Sequence, residues 1–215
     1  MTGTYQLIGS KWTGSMIVEA AFALSGIPHE VELIPYGGGS QNGGGPDHQR
    51  LLGFNPLGQV PTLILPDGKV MTESAAIILH LADLAPQARL APAADDPLRP
   101  HFLRWLMFLV AALYPTFTYG DDPKKWAKDE AGGKHLRAAT DEHRKTLWRY
   151  FVAQNPCKPW VLGETFSALD LYVAVMTAWR PGNAWFMEQT PALVKIAERV
   201  AAMDKLKPVW ANNED

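Results

Sequence analysis

A seven-residue stretch of this chain, 55–61, reads Asn-Pro-Leu-Gly-Gln-Val-Pro and carries its sharpest chemical signal. A proline at the start of a strand has no N–H to donate to the sheet. If the Val60–Pro61 peptide bond is cis, the chain turns so that the main-chain N–H and C=O of Val60 face outward without partners. Such groups pair with an extended peptide as a neighbouring strand would. The alternative is an ordinary proline at a sheet edge, with no ligand.

A second stretch, 72–76, reads Thr-Glu-Ser-Ala-Ala and begins a helix. A helix N-terminus presents free N–H groups and a partial positive charge, which together favour a carboxylate. Glu73 adds an acceptor for an ammonium group, and the hydroxyl of Ser74 adds a donor for a carboxylate. These groups suit the head group of an amino acid. The alternative is that Thr72 or Ser74 only caps the helix.

A third stretch, 167–170, reads Ser-Ala-Leu-Asp and precedes an apolar helical segment. The spacing Ser-x-x-Asp matches a reciprocal N-terminal cap, with Phe166 as a hydrophobic staple. We interpret this stretch as structural.

The apolar periodicity in the first part of the chain predicts an α/β unit in the order β-α-β and then β-β-α. A β-α-β unit of this length favours parallel strands joined by a right-handed crossover. A Pro-Asp-Gly turn at 66–68 joins the last two strands as a hairpin. The predicted strands are 5–9, 29–34, 60–65 and 69–71, and the predicted helices are 16–24 and 73–83.

The segment 86–100 is rich in Pro, Ala and Asp, which is typical of an interdomain linker. Strand patterns stop after it, and long helical patterns follow at 98–113, 134–154, 167–180 and 191–203. The sequence therefore predicts an α/β domain at 1–85, a linker at 86–97 and an all-helical domain at 98–215.

The glycine-rich segment 35–46 predicts a flexible loop. It lacks the Lys-Ser/Thr ending and the strand-to-helix setting of a phosphate-binding loop, so we do not expect phosphate binding there. The six histidines show neither a His-x-x-x-His pair nor a carboxylate grouping typical of zinc, so we expect no metal.

The composition excludes several function classes. The net charge of −2 does not recruit nucleic acid or an anionic membrane. The most apolar stretch, 103–113, is shorter than the roughly 20 residues that span a bilayer. No signal-peptide pattern is visible at the N-terminus. The single cysteine, Cys157, forms no intramolecular disulfide, which fits a reducing compartment. We therefore expect a cytoplasmic protein with neither a nucleic-acid nor a membrane partner.

The stretches 55–61 and 72–77, followed by Leu-Gly-Glu-Thr-Phe-Ser-Ala-Leu-Asp at 162–170, resemble the landmarks of the cytosolic glutathione transferases in order and spacing. The resemblance covers about residues 5–205. It implies a thioredoxin-like N-terminal domain with a cis-proline at Pro61, followed by an all-helical C-terminal domain.

The resemblance also implies a set of binding residues. The main chain of Val60, next to Gln59 and Pro61, would bind the cysteinyl part of glutathione, while Glu73 and Ser74 would hold its γ-glutamyl end. The helical domain would supply the pocket for a small hydrophobic electrophile. Glutathione would be the co-substrate, without a metal, and the family usually forms homodimers.

The activity implied is that of a glutathione S-transferase that detoxifies hydrophobic electrophiles. Two alternatives stay open. One is a glutathione-binding or interaction protein of the same fold without transferase activity. The other is a glutathione-dependent isomerase, lyase (ether cleavage) or dehalogenase that uses the same thiolate.

The residue that activates the thiol is not where the family places it. A free thiol has a pKa of about 8.5 and needs a hydrogen-bond donor to ionise at neutral pH. Family members supply a Tyr, Ser or Cys between the first strand and the first helix. Aligned without gaps, Trp12 falls at the position of the hydroxyl in serine-type members, and Gly14 falls at the position of the thiol in cysteine-type members.

Three hydroxyls in this segment are candidate catalytic residues. Ser15 is the first, because a hydroxyl at the helix start acts together with the helix dipole; Thr13 is the second and Ser10 the third. The alternative for Ser15 is an N-cap whose oxygen is engaged by main-chain N–H groups. Because the segment has no cysteine, we expect no attack through an enzyme mixed disulfide. We interpret Cys157 as non-catalytic.

Other candidate contacts to the thiolate or the substrate are aromatic or basic. Trp12, Tyr114 and Tyr119 are candidates for an apolar pocket, whereas Phe108 fits a helical core. Arg180 ends a helix and would steady the thiolate or a glutathione carboxylate if it faced the cleft. The alternative for Arg180 is a favourable charge at a helix C-terminus.

Overall fold

The computed structural model describes residues 3–35 and 45–214. The glycine-rich loop predicted at 35–46 falls largely on residues 36–44, which lie outside the described residues. The first part of the described chain forms a four-stranded sheet in the order β2-β1-β3-β4. The strands are β1 (Tyr5–Gly9), β2 (His29–Leu33), β3 (Thr62–Ile64) and β4 (Val70–Met71).

Strand pairing confirms the predicted β-α-β and hairpin units. β1 and β2 are parallel, with Tyr5 opposite His29, and β1 pairs antiparallel with β3. β3 and β4 form the hairpin, and Gly68 adopts a φ of 82° in its turn. Glycine reaches that conformation at little cost because it has no Cβ.

Three helices belong to this part of the chain. The helices predicted at 16–24 and 73–83 are present as α1 (Gly14–Ser25) and α3 (Ser74–Leu84), which pack against each other. The helix α2 (Pro46–Phe54) was not predicted, because Leu51 is its only buried residue and it therefore has no apolar stripe. Sheet and helices form the thioredoxin-like fold.

The remainder of the described chain is mostly helical, which confirms the predicted fold class. At its centre lies α7, in which all nine residues are buried. The helices are α4 (Arg99–Phe108), α5 (Tyr114–Asp121), α6 (Glu130–Gln154), α7 (Ala168–Met176), α8 (Asn183–Gln189), α9 (Pro191–Ala201) and α10 (Lys207–Asn213).

The helix predicted at 98–113 does not stop at the Tyr-Pro step, and the prediction was wrong there. A π-helical turn at Leu109–Leu113 joins α4 to α5. Pro115 has no N–H and its ring clashes with the carbonyl four residues earlier in a regular helix, so a wider turn accommodates it. The resulting stretch, Arg99–Asp121, is long and apolar enough to cross a membrane. Phe102, Trp105 and Leu106 on one face of this stretch are fully buried in the core, so we interpret it as a core helix.

Two further predictions need correction. The helix predicted at 167–180 ends at Met176, where turns and a cis Arg180–Pro181 bond follow. The short helices α8 and α10 were not predicted, because seven residues are too few to show an apolar period. The helix α10 packs against α1 and so brings the end of the chain to the first helix.

Candidate active site

The loop 55–61 has the geometry that the family resemblance implies. The Val60–Pro61 peptide bond is cis. Asn55 holds the loop together: its Nδ2 donates to Gln59 O at 3.0 Å, and its Oδ1 accepts from Leu57 N at 3.1 Å. In residues 3–35 and 45–214, the main-chain N–H and C=O of Val60 form no hydrogen bond. A half-buried main-chain edge at Val60 is therefore unpaired, as an extended ligand would require.

The start of α3 offers a second set of polar groups. Glu73 is the N-cap residue, with a φ of 63° and an exposed side chain that makes no capping bond. Ser74 is buried, and its hydroxyl lies 2.7 Å from Tyr172 Oη on α7. Burial raises the pKa of Tyr172, so its hydroxyl keeps its proton. When Tyr172 donates to Ser74, the hydrogen of Ser74 is left for another acceptor.

The start of α1 is organised differently. Thr13, not Ser15, is the N-cap, and its Oγ1 accepts from Ser15 N at 3.3 Å. Ser15 Oγ accepts from Ser10 N at 2.9 Å and lies 3.0 Å from Ser10 O. Thr13 Oγ1 donates to the same carbonyl at 2.9 Å and lies 2.8 Å from Ser15 Oγ. The hydroxyls of Thr13 and Ser15 therefore close the β1–α1 loop, and the bonds at Ser10 use its main chain.

Residues from the far end of the chain fix Trp12 in this loop. Trp12 has a φ of 51°, a left-handed conformation that is uncommon for a bulky residue. Its main-chain N–H donates to Asn213 Oδ1 at 3.3 Å, and its carbonyl accepts from Trp179 Nε1 at 2.7 Å. The helical part of the chain therefore holds the loop from both sides.

The buried carboxylate of Glu19 strengthens this attachment. It accepts from Asn213 Nδ2 at 3.0 Å and from Asn212 Nδ2 at 2.9 Å, both on α10. Asn213 is fully buried; its Oδ1 accepts from the main chain of Trp12, and its Nδ2 donates to the carboxylate of Glu19. Sequence reasoning missed Asn213, because a polar residue near the end of a chain carries no motif.

The aromatic candidate Tyr114 lies beside the start of α1. A Cβ built on Gly14 would sit 3.1 Å from Tyr114 Oη. That hydroxyl is buried and forms no hydrogen bond of ordinary geometry among the described residues, and its polar neighbour is the hydroxyl of Ser74. The ring packs near Trp179 and Tyr172, at centroid distances of 5.8 and 6.1 Å. Sequence reasoning listed Tyr114 as a pocket residue; its position against Gly14 had no sequence signal.

The remaining surface candidates are engaged by contacts with other side chains. Arg180 forms ion pairs with Asp141, at 3.0 Å, and with Asp121. Tyr119 is 42% exposed and packs edge-on against Trp126, with 4.9 Å between ring centroids. These contacts lie within the helical part of the chain.

The structural interpretations of 167–170 and of Phe108 agree with the structure. Ser167 and Asp170 form the reciprocal cap, in which Asp170 accepts from Ser167 N at 2.8 Å. Phe108 packs against Trp105 in an aromatic cluster. Cys157 is buried, and burial raises the pKa of its thiol to about 12, so it is neither exposed nor ionised at neutral pH.

No group of three or more His, Cys, Asp or Glu side chains that could hold a metal ion occurs in the part of the chain that the structure describes. The candidate site is therefore an open main-chain edge, two helix N-termini and a set of aromatic side chains.

Comparison with known proteins identifies the class. Residues 15–84 match the family model described as "Glutathione S-transferase, N-terminal domain". The chain is 36% identical over 209 residues to an Escherichia coli K12 protein described as the uncharacterized GST-like protein YncG, covering 97% of this chain and 98% of that protein. The chain belongs to the glutathione transferase family.

Solved structures agree on the fold. A glutathione transferase homologue from Sulfitobacter with bound glutathione aligns with a TM-score of 0.85 at 24% identity, over 97% of this chain and 98% of that one. A sphingomonad glutathione S-transferase complexed with glutathione aligns with a TM-score of 0.75 at 25% identity and the same coverage.

Proposed function

We propose that this protein is a glutathione S-transferase, which binds glutathione as a thiolate and conjugates it to a small hydrophobic electrophile. The observation that carries this proposal is the open main chain of Val60 beside the start of α3. A main-chain edge next to an anion-favouring helix N-terminus suits a peptide whose free α-carboxylate and ammonium lie at one end.

The cysteinyl and γ-glutamyl residues of glutathione each have a matching group. The N–H and C=O of Val60 pair with the main chain of the cysteinyl residue. The α-carboxylate of the γ-glutamyl residue accepts from Ser74 and from the N–H groups at the start of α3, while Glu73 accepts from its ammonium group. The glutathione-bound structures of the Sulfitobacter and sphingomonad proteins support this ligand for the fold.

The reaction begins when the thiol of glutathione loses its proton to water. The sulfur then attacks an electrophilic carbon, so that an S–C bond forms and the leaving group departs with its bonding electrons. In a conjugate addition no group leaves, and the adjacent carbon takes a proton from water instead. Positioning of the two substrates and a lowered thiol pKa supply the rate gain.

The electrophile pocket is proposed next to the start of α1, where Trp12, Tyr114 and Trp179 lie together. Aromatic side chains favour a hydrophobic substrate. A homodimer and a cytoplasmic location remain predictions that follow from the family resemblance and the cysteine content.

A glutathione-binding protein without transferase activity is the second candidate. It is favoured by the engagement of the Thr13 and Ser15 hydroxyls within the loop. In that case glutathione binds and its thiol pKa stays at the value of free glutathione.

The test combines two measurements on the intact protein. Calorimetry measures the binding of glutathione, and the ultraviolet absorbance of the thiolate across pH measures the pKa of the bound thiol. We expect binding, a thiol pKa below that of free glutathione, and conjugation of a chlorodinitrobenzene. Binding with an unshifted thiol pKa and no conjugation supports the second candidate, and the absence of binding overturns both.

A further inference from the structure

We propose that Tyr114, a residue of the helical part of the chain, donates the hydrogen bond that stabilises the glutathione thiolate. This inference rests on the proposed function. It assigns the activating role to a residue outside the β1–α1 segment: that segment has no thiol, and of its three candidate hydroxyls those of Thr13 and Ser15 are engaged within the loop, which leaves Ser10 as the alternative.

The first argument is position. Tyr114 Oη lies 3.1 Å from the point where a Cβ on Gly14 would sit. Gly14 aligns with the thiol of cysteine-type members of the family. The hydroxyl of Tyr114, coming from the helical part of the chain, therefore borders the space that a side chain at position 14 would enter. Glycine at this position leaves that space open for the tyrosine.

The second argument is unused hydrogen-bonding capacity. The hydroxyls of Ser15 and Thr13 already bond to Ser10 within the loop. Ser74 and Tyr172 bond to each other at 2.7 Å, and the hydrogen left on Ser74 is the one proposed for the γ-glutamyl carboxylate. By contrast, Tyr114 Oη is buried and forms no hydrogen bond of ordinary geometry among the described residues, although the hydroxyl of Ser74 lies close enough to oppose the effect of burial on the pKa of Tyr114. A buried polar group without a partner costs free energy, and a ligand that accepts its hydrogen removes that cost.

The third argument is protonation. Burial raises the pKa of Tyr114 well above its usual value. The hydroxyl therefore keeps its proton at neutral pH and acts as a donor rather than as a base. The thiol proton goes to water, the O–H of Tyr114 points to the sulfur, and the tyrosine ends the reaction unchanged.

The fourth argument is rigidity. Tyr114 follows directly after the π-helical turn Leu109–Leu113 and precedes Pro115, and its ring packs near Trp179. Trp179 in turn donates to the carbonyl of Trp12, in the loop that begins α1. The tyrosine and the loop therefore share one packing unit, which holds the hydroxyl in place before the ligand binds.

The main test removes only the hydroxyl, in Tyr114→Phe. A donor to a charged group contributes a factor of roughly 10 to 100, so we expect the catalytic efficiency kcat/KM to fall by about that factor. We expect the pKa of the bound thiol to rise by about one unit or more, while the glutathione Kd changes by less than about threefold. Because Oη has no partner in the free protein, we expect an unchanged or higher melting temperature, whereas a structural hydroxyl would lower it. Tyr150→Phe, which removes an exposed hydroxyl on α6, is the matched control and leaves all four values unchanged.

The variant Gly14→Ala displaces the Tyr114 hydroxyl without changing residue 114 itself. The added methyl of Gly14→Ala presses on Tyr114 Oη at 3.1 Å and displaces it by a few tenths of an ångström. We expect the pKa of the bound thiol to rise. In the Tyr114→Phe background, Gly14→Ala produces no further rise, because the two changes act on one hydrogen bond.

The outcomes separate this inference from the proposed function. If the wild-type protein lowers the thiol pKa and Tyr114→Phe lowers it equally, the role of Tyr114 is overturned and the proposed function stands. If Tyr114→Phe weakens glutathione binding without changing the thiol pKa, Tyr114 binds the γ-glutamyl end instead, and the inference is again wrong. A wild-type protein that binds no glutathione overturns both.

Discussion

The starts of α1 and α3 are two helix N-termini in one thioredoxin-like unit, and they use their hydroxyls in opposite ways. At α3, Glu73 makes no capping bond, and Ser74 bonds outward to α7. At α1, Thr13 caps the helix and Ser15 bonds back to the loop that precedes it. The start of α3 therefore leaves Glu73 without a capping role and bonds to α7 through Ser74, whereas the hydroxyls at the start of α1 stabilise its own loop.

This difference shows how one fold divides binding from activation. The proposed binding groups lie within two short sequence stretches, and only Ser74 among them bonds to the helical part of the chain. The proposed activating group lies in the helical part of the chain and needs the whole molecule to be assembled. We therefore expect glutathione binding to tolerate small changes in packing, and activation of the thiol to be sensitive to them.

We expect the largest loss of stability from removing the side chain of Asn213, which holds the loop before α1. Asn213→Ala leaves the main-chain N–H of Trp12 and one oxygen of Glu19 without partners in the interior, at a cost of about 3 kcal/mol in the free energy of unfolding. Urea unfolding measures the loss. Asn212→Ala, which removes an exposed amide from the same carboxylate, is the control and costs less than about 1 kcal/mol.

In the same Asn213→Ala variant, we expect the pKa of the thiol of bound glutathione to change, while the glutathione Kd stays nearly constant. The reason is that the start of α3 keeps all of its bonds. A comparable loss of glutathione affinity in this variant would show that the starts of α1 and α3 are not independent.

A smaller effect tests the role of Ser15. Ser15→Ala leaves the buried N–H of Ser10 without its acceptor, so we expect a loss of about 2 kcal/mol in the free energy of unfolding. We expect kcat/KM at a temperature well below unfolding to fall by less than about threefold, since the hydroxyl serves the loop. Thr146→Ala, an exposed helical hydroxyl, serves as the control for stability.

The opposite result for Ser15→Ala would contradict the structural role that we assign to the hydroxyls at the start of α1. A tenfold or larger loss of kcat/KM with unchanged stability would make Ser15 the activating residue, as the sequence first indicates, and would leave Tyr114 as a pocket residue.

The smallest effect concerns the start of α3. Glu73→Gln removes a charge from an exposed side chain that makes no capping bond, so we expect the free energy of unfolding to change by less than about 0.5 kcal/mol. The glutathione Kd should rise by about fivefold, because the ammonium group of the ligand loses its charged partner. Calorimetry measures the change, with the exposed Glu198→Gln as the control. An unchanged Kd would remove Glu73 from the proposed site.

The elements that the sequence predicts correctly are those with a strong local signal. The strands β1 and β2 follow from alternating or continuous apolar residues, and α3 follows from its apolar stripe. The cap at Ser167 forms between residues three positions apart. The missed elements are α2, α8 and α10, which are short or polar and are stabilised by contacts that no local pattern encodes.

The sequence by itself indicated the groups offered by Glu73 and Ser74 and, through the family resemblance, a thioredoxin-like unit with a cis bond before Pro61, because the residues of each motif lie within a few positions of one another. Only the tertiary structure decided how the start of α1 is used. Its loop is held by Asn213 and faced by Tyr114, residues about 200 and 100 positions away. Contacts at such separations form when packed helices bring them together, and they leave no spacing in the chain from which they can be predicted.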